Sequence, residues 1–395
     1  MLHVASLWPA LTLGATLAAT AVDAQCTPAS QAPRGVWDTS NATLAPDTRA
    51  NADGISLIHG IACRADLQID DGIIELELAP PAGGFAGIAF RMQSAADYEI
   101  VYFRWSNDGR WVGVQYQPVY ESETTWQLYP GPGYEADLPP RVYTRRGGWM
   151  PVRLVIAGSR ADVYVGDSAK PVLQVRQLKR PRDRGAIAIW SSGLDTWKQP
   201  TAVVRALRVM PLGDVTLASA PPDPEPTGRL TRWRVSSRFA APDSTAFADR
   251  LSTQVQRDIA EGRVIGSEPS GLVNLTATLG NPAGRQTTNV FAGAGWGVAY
   301  ANVTLHSDRE QTRRLSVSYS DAIGVYVNGA LVYTGDNRSD VRGKNSLGLV
   351  AFEAETVPIR LHAGDNQIVL AVADKAFGWG FRARLDSLAA VDVSP

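Results

Sequence analysis

Short runs that alternate apolar and polar residues fill most of the chain, and they restrict its fold more than any single motif. In "GIIELELAP" the side chains of Ile74, Leu76 and Leu78 fall on one side of an extended strand, with Glu75 and Glu77 on the other. Successive strand side chains point to opposite faces, so this is a strand with one buried side. The stretches "FAGIAFRM", "YEIVYFRW", "WVGVQYQ", "TTWQLY", "PVRLVIAG", "ADVYVG", "VLQVRQL" and "GAIAIW" follow, joined by turns rich in Gly, Pro, Asp and Ser. Many short strands with hardly a helical stretch between them predict an antiparallel β-sandwich. The second half behaves alike. Asn328-Gly329 between two alternating runs predicts a tight hairpin, since both residues tolerate positive φ. "VPIRLHAGDNQIVLAVAD" predicts a strand, turn, strand unit around Gly364, Asp365 and Asn366. One helix is expected in "STAFADRLSTQVQRDIAEG", opening after Asp243-Ser244 and closing at Gly262.

A chain of 395 residues with 45% hydrophobic content is long for one domain and can bury two cores. The stretch "GDVTLASAPPDPEPTGRL", residues 213–230, carries four prolines and reads as a semi-rigid linker. The expected organisation is all-β: an antiparallel jelly-roll sandwich over 25–212, the Pro-rich linker 213–230, and a second such sandwich over 231–395. Residues 1–24 read as a secretory signal, apolar from Leu7 to Ala19 and ending in Val22, Asp23 and Ala24. Export to the periplasm or the extracellular space is therefore expected, and with it a disulfide between the only two cysteines, Cys26 and Cys63. No later run approaches the length of a membrane-spanning helix, so no transmembrane segment is expected. A net charge of −1, from 38 basic and 39 acidic residues, provides no field for nucleic acid. The one basic cluster, Arg176, Lys179, Arg180, Arg182 and Arg184, surrounds Pro181 and reads as a solvated turn.

The succession "AGIAFR", "DYEIVYFR", "GGWMPVRLVIAGSRADVYV" and "GAIAIW" resembles the concanavalin A-like lectin and glucanase superfamily. Within it, the match is to laminin-G-like jelly rolls and exported bacterial 3-keto-disaccharide hydrolase domains, over roughly residues 35 to 212. The second region, with "SDAIGVYVNGALVYTGD", "LHAGDNQIVLAVAD" and "FGWGF", resembles the galactose-binding-like jelly rolls that accompany β-galactosidases. The resemblance implies polysaccharide or oligosaccharide as partner. A laminin-G-like fold equally implies a structural or adhesive module that recognises another protein.

Parity along the strands names the candidate residues. If "WVGVQYQ" buries Val112, Val114 and Tyr116, then Trp111, Gly113, Gln115 and Gln117 share the opposite face. A tryptophan beside two amides can stack on the apolar face of a pyranose and pair with its hydroxyls. The same parity sends Glu75, Glu77, Arg91 and Glu99 to open faces, with Ile74, Leu76, Ile88 and Phe90 inside. "YEIVYFRW" leaves open whether Tyr102 and Arg104 or Phe103 and Trp105 are internal. Trp149, Tyr164 and Trp190 read as core, and so does Trp379 in "FGWGF". Ligand-binding candidates are thus Arg104, Trp111, Gln115, Gln117, Trp126 and Tyr129.

Catalytic candidates are Glu75, Glu77, Arg91 and Glu99. Glu75-x-Glu77 suits a retaining pair, which needs two carboxyls about 5 to 5.5 Å apart. Arg91 in "AFR" and Glu99 in "DYE" match the arginine and glutamate that the keto-sugar resemblance implies; they could equally pair across adjacent strands. Other chemistries lack residues. His59, His306 and His362 have no metal-ligand spacing, and there is no Gly-x-Ser-x-Gly, phosphate loop or dinucleotide fingerprint, so no organic cofactor is expected. Asp336, Asn337 and Asp340 are candidate oxygen ligands for a structural calcium ion, or else turn formers. The leading expectation is glycan binding without turnover; the rivals are a glycosidase or keto-sugar hydrolase or lyase, and a protein-binding module.

Overall fold

The computed structural model describes residues 26, 33–45, 49–50, 54–79, 84–105, 112–138, 148–192, 202–218, 228–241, 246–281, 296–338, 341–342, 347–351, 355–375 and 377–395. Residues 1–24, Trp111 and Asp340 lie outside them, as do the side chains of Trp105 and Val112. The fold is all-β and antiparallel throughout. No helix among the described residues is long and apolar enough to cross a membrane.

Strands between Asp38 and Met210 form one ladder. Its order is Leu173–Val175, Arg160–Val165, Met150–Ala157, Gly72–Ala79, Ala202–Met210, Ile55–Ile69, Gly185–Ser192, Gly84–Ser94, Asp97–Trp105, Val112–Tyr120 and Glu123–Thr124. Strands Asp38–Leu44 and Glu135–Leu138 pair with Ile55–Ile69 and Val112–Tyr120. The ladder curls so that its two halves face one core: Ile74, Leu76, Leu154, Ile156 and Val163 meet Ile88, Phe90, Val101, Phe103, Val114 and Tyr116. Strand Ile55–Ile69 makes this geometry, pairing through Ile55 to Leu57 with one half and through Gly60 to Ile69 with the other. At the switch, Gly60 takes φ +96, and a side chain there would collide with the Asn41 carbonyl. Cys26 and Cys63 form the expected disulfide, anchoring the N-terminal segment to this strand.

The second region encloses its own core between two sheets. The larger runs Arg263–Gly266, Arg232–Val235, Trp296–Ser307, Gly364–Asp374, Ala322–Val327 and Ala330–Asp336, with Phe239–Ala241 and Val391–Ser394 also on Trp296–Ser307. The smaller runs Val273–Asn274, Gly380–Leu385, Gln311–Ser320 and Glu355–Leu361. Trp233, Val303, Ile323 and Leu370 of one pack on Leu315, Ile359, Phe381 and Leu385 of the other, and Trp379 is fully enclosed as expected. The Asn328-Gly329 hairpin is present, with φ of 51° and 80°. The helix is shorter than expected. It spans Thr253–Ala260 with Ser252 as N-cap, because Asp249, Arg250 and Leu251 instead lie extended against the hairpin, bonded to Leu331 and Gly329.

The two sandwiches are in contact. Segment 123–134 crosses from the first to the second, and Leu272 and Val350 of the second complete the first core. Gln127 donates to Leu347 O (2.9 Å) and accepts from Ser320 Oγ (2.8 Å), while Glu123 accepts from Phe377 N (2.8 Å). Gly378 adopts φ +122, and a Cβ on it would stand 2.8 Å from Leu128 Cγ, so the glycines of "FGWGF" serve close approach. The start of the linker is tied down as well: Ala218 N donates to Asp162 Oδ2 (2.6 Å), and its carbonyl accepts from Arg160 (2.8 Å). The basic cluster is only partly the solvated turn expected. Arg182 and Arg184 are exposed, whereas the Lys179 side chain is 3% exposed and lies between the Tyr129 and Tyr134 rings and Glu268.

Candidate functional site

The open polar surface that the sequence anticipates around Glu75 and Glu77 is present. Both project outward from Gly72–Ala79 while Ile74, Leu76 and Leu78 enter the core. Glu75 stands between Arg153 and Arg208, and Glu77 between Pro151 and Arg205. Two arginines three residues apart in one strand cannot both face outward in a regular ladder. A bulge solves this: Arg205 pairs with Glu77 and Arg208 with Glu75, so the step from 205 to 208 opposes a step of two. Ala206 absorbs the extra residue at φ 55°, and Leu207 and Val209 turn to the core. Period-two reading had no means of finding Arg205, Arg208 and Arg153 as partners of the two glutamates.

The geometry is firm. Arg205 Nε donates to Glu77 Oε2 at 2.6 Å, and its guanidinium lies 4.0 Å over the Trp149 ring. Arg153 lies 4.2 Å over Tyr164. Tyr164 is therefore on the outer face, half-buried, and not in the core as expected. Glu75, Glu77, Arg153, Tyr164, Asp167 and Arg208 line a groove of about 440 Å3 on the outer surface of the sheet. Its floor alternates anionic acceptors and cationic donors beside an aromatic ring.

The other candidates take different places. Gln115 and Gln117 do lie opposite Val114 and Tyr116, but they are buried. Gln115 accepts from Tyr102 Oη (2.5 Å) and donates to the Trp126 and Tyr129 carbonyls (3.0 and 3.2 Å), while Gln117 accepts from Thr125 N (2.7 Å). They fasten the returning segment 123–134 to the strand, so the exposed amide face expected there is replaced by a covered one. Below it, Tyr102 packs edge-on to Trp190 at 5.9 Å, with Phe85 alongside. Tyr102 is thus on the outer side and Phe103 on the inner. Arg104 pairs with Glu135, and Trp126 packs at a tilt against Phe377 of the second sandwich, ring centroids 5.5 Å apart. Tyr129 is 1% exposed and reaches across to Glu268 and Asn274.

Arg91 and Glu99 do not meet an open face. Arg91 is 2% exposed at a bulge, donating to Asp70 O (2.8 Å), Gly158 O (2.6 Å) and Asp71 Oδ1 (3.2 Å). Glu99 is fully buried beside the core ring of Tyr116, whose hydroxyl donates to it at 2.5 Å, and it accepts from Arg180 N at 2.9 Å. Burial pushes its carboxyl up to about 7 against the pull of these bonds.

Asp336 and Asn337 are engaged by neighbouring groups of the protein. The Asp336 carboxylate engages Arg338, and the Asn337 amide donates to the Tyr319 and Leu349 carbonyls (2.9 and 3.3 Å). No cluster of metal-ligating side chains occurs among the described residues.

The chain is thus an all-β protein built on antiparallel sandwiches. No family model and no curated protein sequence matches it. Among solved structures it is similar to the carbohydrate-binding module CBM66 from Bacillus subtilis, at 13% identity and TM-score 0.30, over 45% of this chain and 96% of that one. It is similar to Bacillus licheniformis β-glucanase at 10% identity and TM-score 0.31, over 47% and 95%. It is also similar to galectin LEC-6 of Caenorhabditis elegans at 14% identity and TM-score 0.25, over 44% and 97%. At these values the likeness assigns no residue a role.

Proposed function

We propose that this chain is an exported carbohydrate-binding protein that seats a saccharide, without turnover, in the groove at Glu75, Glu77, Arg153, Tyr164 and Arg208. The observation that carries the reading is the bulge at Ala206, which aims Arg205 and Arg208 at the two glutamates. Bulges concentrate where a side chain must be re-aimed, and a non-glycine residue at positive φ is retained against a local cost. The surface so built suits a polyol. Each sugar hydroxyl both donates and accepts, and neighbouring hydroxyls bridge a carboxylate and a guanidinium held at fixed spacing on a rigid sheet. Export is supported by the disulfide.

Turnover is disfavoured by the engagement of Glu77. A general acid must present its proton to the leaving oxygen, and Glu77 Oε2 already accepts from Arg205. The test is affinity electrophoresis and calorimetric titration of the leaderless protein against a panel of neutral plant, algal and bacterial glycans. Glu75→Gln and Arg208→Gln should each weaken a bound glycan about tenfold, the worth of one charge-assisted hydrogen bond. Unchanged affinity in both variants for every glycan bound sinks the groove. New reducing ends that vanish in Glu77→Gln would replace binding by hydrolysis.

A further inference from the structure

A second cavity opens where the sandwiches meet. It measures about 650 Å3, within the roughly 300 to 1,000 Å3 typical of small-molecule sites, which favour domain interfaces. The first sandwich contributes Asp97, Tyr120, Glu121 and Arg180; the second contributes Arg238 and Arg263. Arg180 donates to Asp97 Oδ1 (3.0 Å) and to Val119 O (2.8 Å), with its guanidinium 4.9 Å from the Tyr120 ring. Glu121 accepts from Asn281 N (3.0 Å), Asn281 Nδ2 donates to Glu121 O (2.9 Å), and Arg238 Nη1 donates to Asn281 O (2.5 Å). This relay joins both sandwiches and fixes Arg238 at the cleft.

Charge selects the ligand. Arg180 is paired to Asp97, and the lining as a whole sets three guanidinia against two carboxylates, which leaves one positive charge. Arg263 stands exposed at the rim on the edge strand Arg263–Gly266. A planar guanidinium is the side chain best shaped to grip a carboxylate bidentately, and the Tyr120 ring, which lines the same cavity beside Arg180, offers an apolar surface for a pyranose face. We infer that the interdomain cleft binds an acidic saccharide, a hexuronate unit whose carboxylate is gripped by Arg238 and Arg263 while its ring lies against Tyr120. This inference deepens the carbohydrate reading by adding a charged subsite remote in sequence from the sheet groove.

The experiment is calorimetric titration of the full leaderless chain with a hexuronate oligomer and with a neutral hexose oligomer of the same length, at low and high salt. The acidic oligomer should bind more tightly, lose affinity with salt, and weaken at least about tenfold in Arg263→Glu and in the double variant Arg238→Ala/Arg263→Ala. Arg263 is exposed, so its reversal spares the fold, and neutral-oligomer affinity should stay at the wild-type value. Equal affinity of wild type and Arg263→Glu for the acidic oligomer overturns the cleft assignment. So does a protein that binds neutral glycan through Glu75 and Arg208 but no hexuronate; that outcome leaves the groove standing. Acidic binding lost in the cleft variants but unmoved by Glu75→Gln, with no neutral glycan bound, removes the groove and keeps the cleft.

Discussion

At the scale of single residues, Glu99 shows how strand parity can mislead about chemistry. It faces inward with Val101 and Phe103, against Tyr116, and its burial raises the carboxyl from an ordinary 4.5 to about 7. A raised value means that the folded state holds the proton more tightly than the unfolded one. The stabilisation brought by that proton is complete below about pH 4.5 and is lost as the pH rises through about 7. Relative to Glu99→Gln, which keeps the shape without the charge, the wild type should lose on the order of 3 kcal/mol of unfolding free energy across that window. Urea unfolding of both proteins at a series of pH values checks this. Parallel profiles would mean that Glu99 is not the titrating group.

At the scale of elements, alternation was enough to place Ile74, Leu76, Ile88, Phe90, Val114 and Tyr116 on the core, and Asn-Gly marked its hairpin. What alternation lacks is any information about what returns to cover the other face. Gln115 and Gln117 look like surface residues until segment 123–134 folds back over them, and that segment is also held by contacts distant in sequence, from Leu347, Ser320 and Phe377. The bulge was illegible for a related reason: "VVRALRV" can be read in either register, and only pairing with Glu75 and Glu77 reveals the extra residue. Its cost is testable. Ala206 at φ 55° bears strain that glycine would relieve and a β-branched residue would increase. Ala206→Val should therefore be less stable than Ala206→Gly by about 1 to 2 kcal/mol in thermal unfolding. Equal melting temperatures would show that the ladder accommodates the bulge some other way.

At the scale of the whole molecule, the proline-rich stretch reads as a semi-rigid linker and does not say whether the sandwiches touch; in the structure a polar network joins them. Lys179 Nζ donates to Glu268 Oε2 (2.5 Å) while lying 5.3 and 5.0 Å from the Tyr129 and Tyr134 ring centroids. The Tyr129 hydroxyl donates to Glu268 Oε1 (2.6 Å) and accepts from Asn274 Nδ2 (2.9 Å). A buried ammonium with one carboxylate partner is costly to leave alone, so removing Glu268 should destabilise by roughly 3 to 5 kcal/mol, and removing only the Tyr129 hydroxyl by about 1 to 3 kcal/mol. Both losses fall on the contact between sandwiches and spare the interior of each. Calorimetry should accordingly show one cooperative transition for the wild type, a lowered single transition for Tyr129→Phe, and two separated transitions for Glu268→Ala, as each sandwich unfolds on its own core. Two transitions already present in the wild type would mean that the network binds the sandwiches too weakly to couple them. The interdomain cleft would then have no fixed shape with which to hold a ligand.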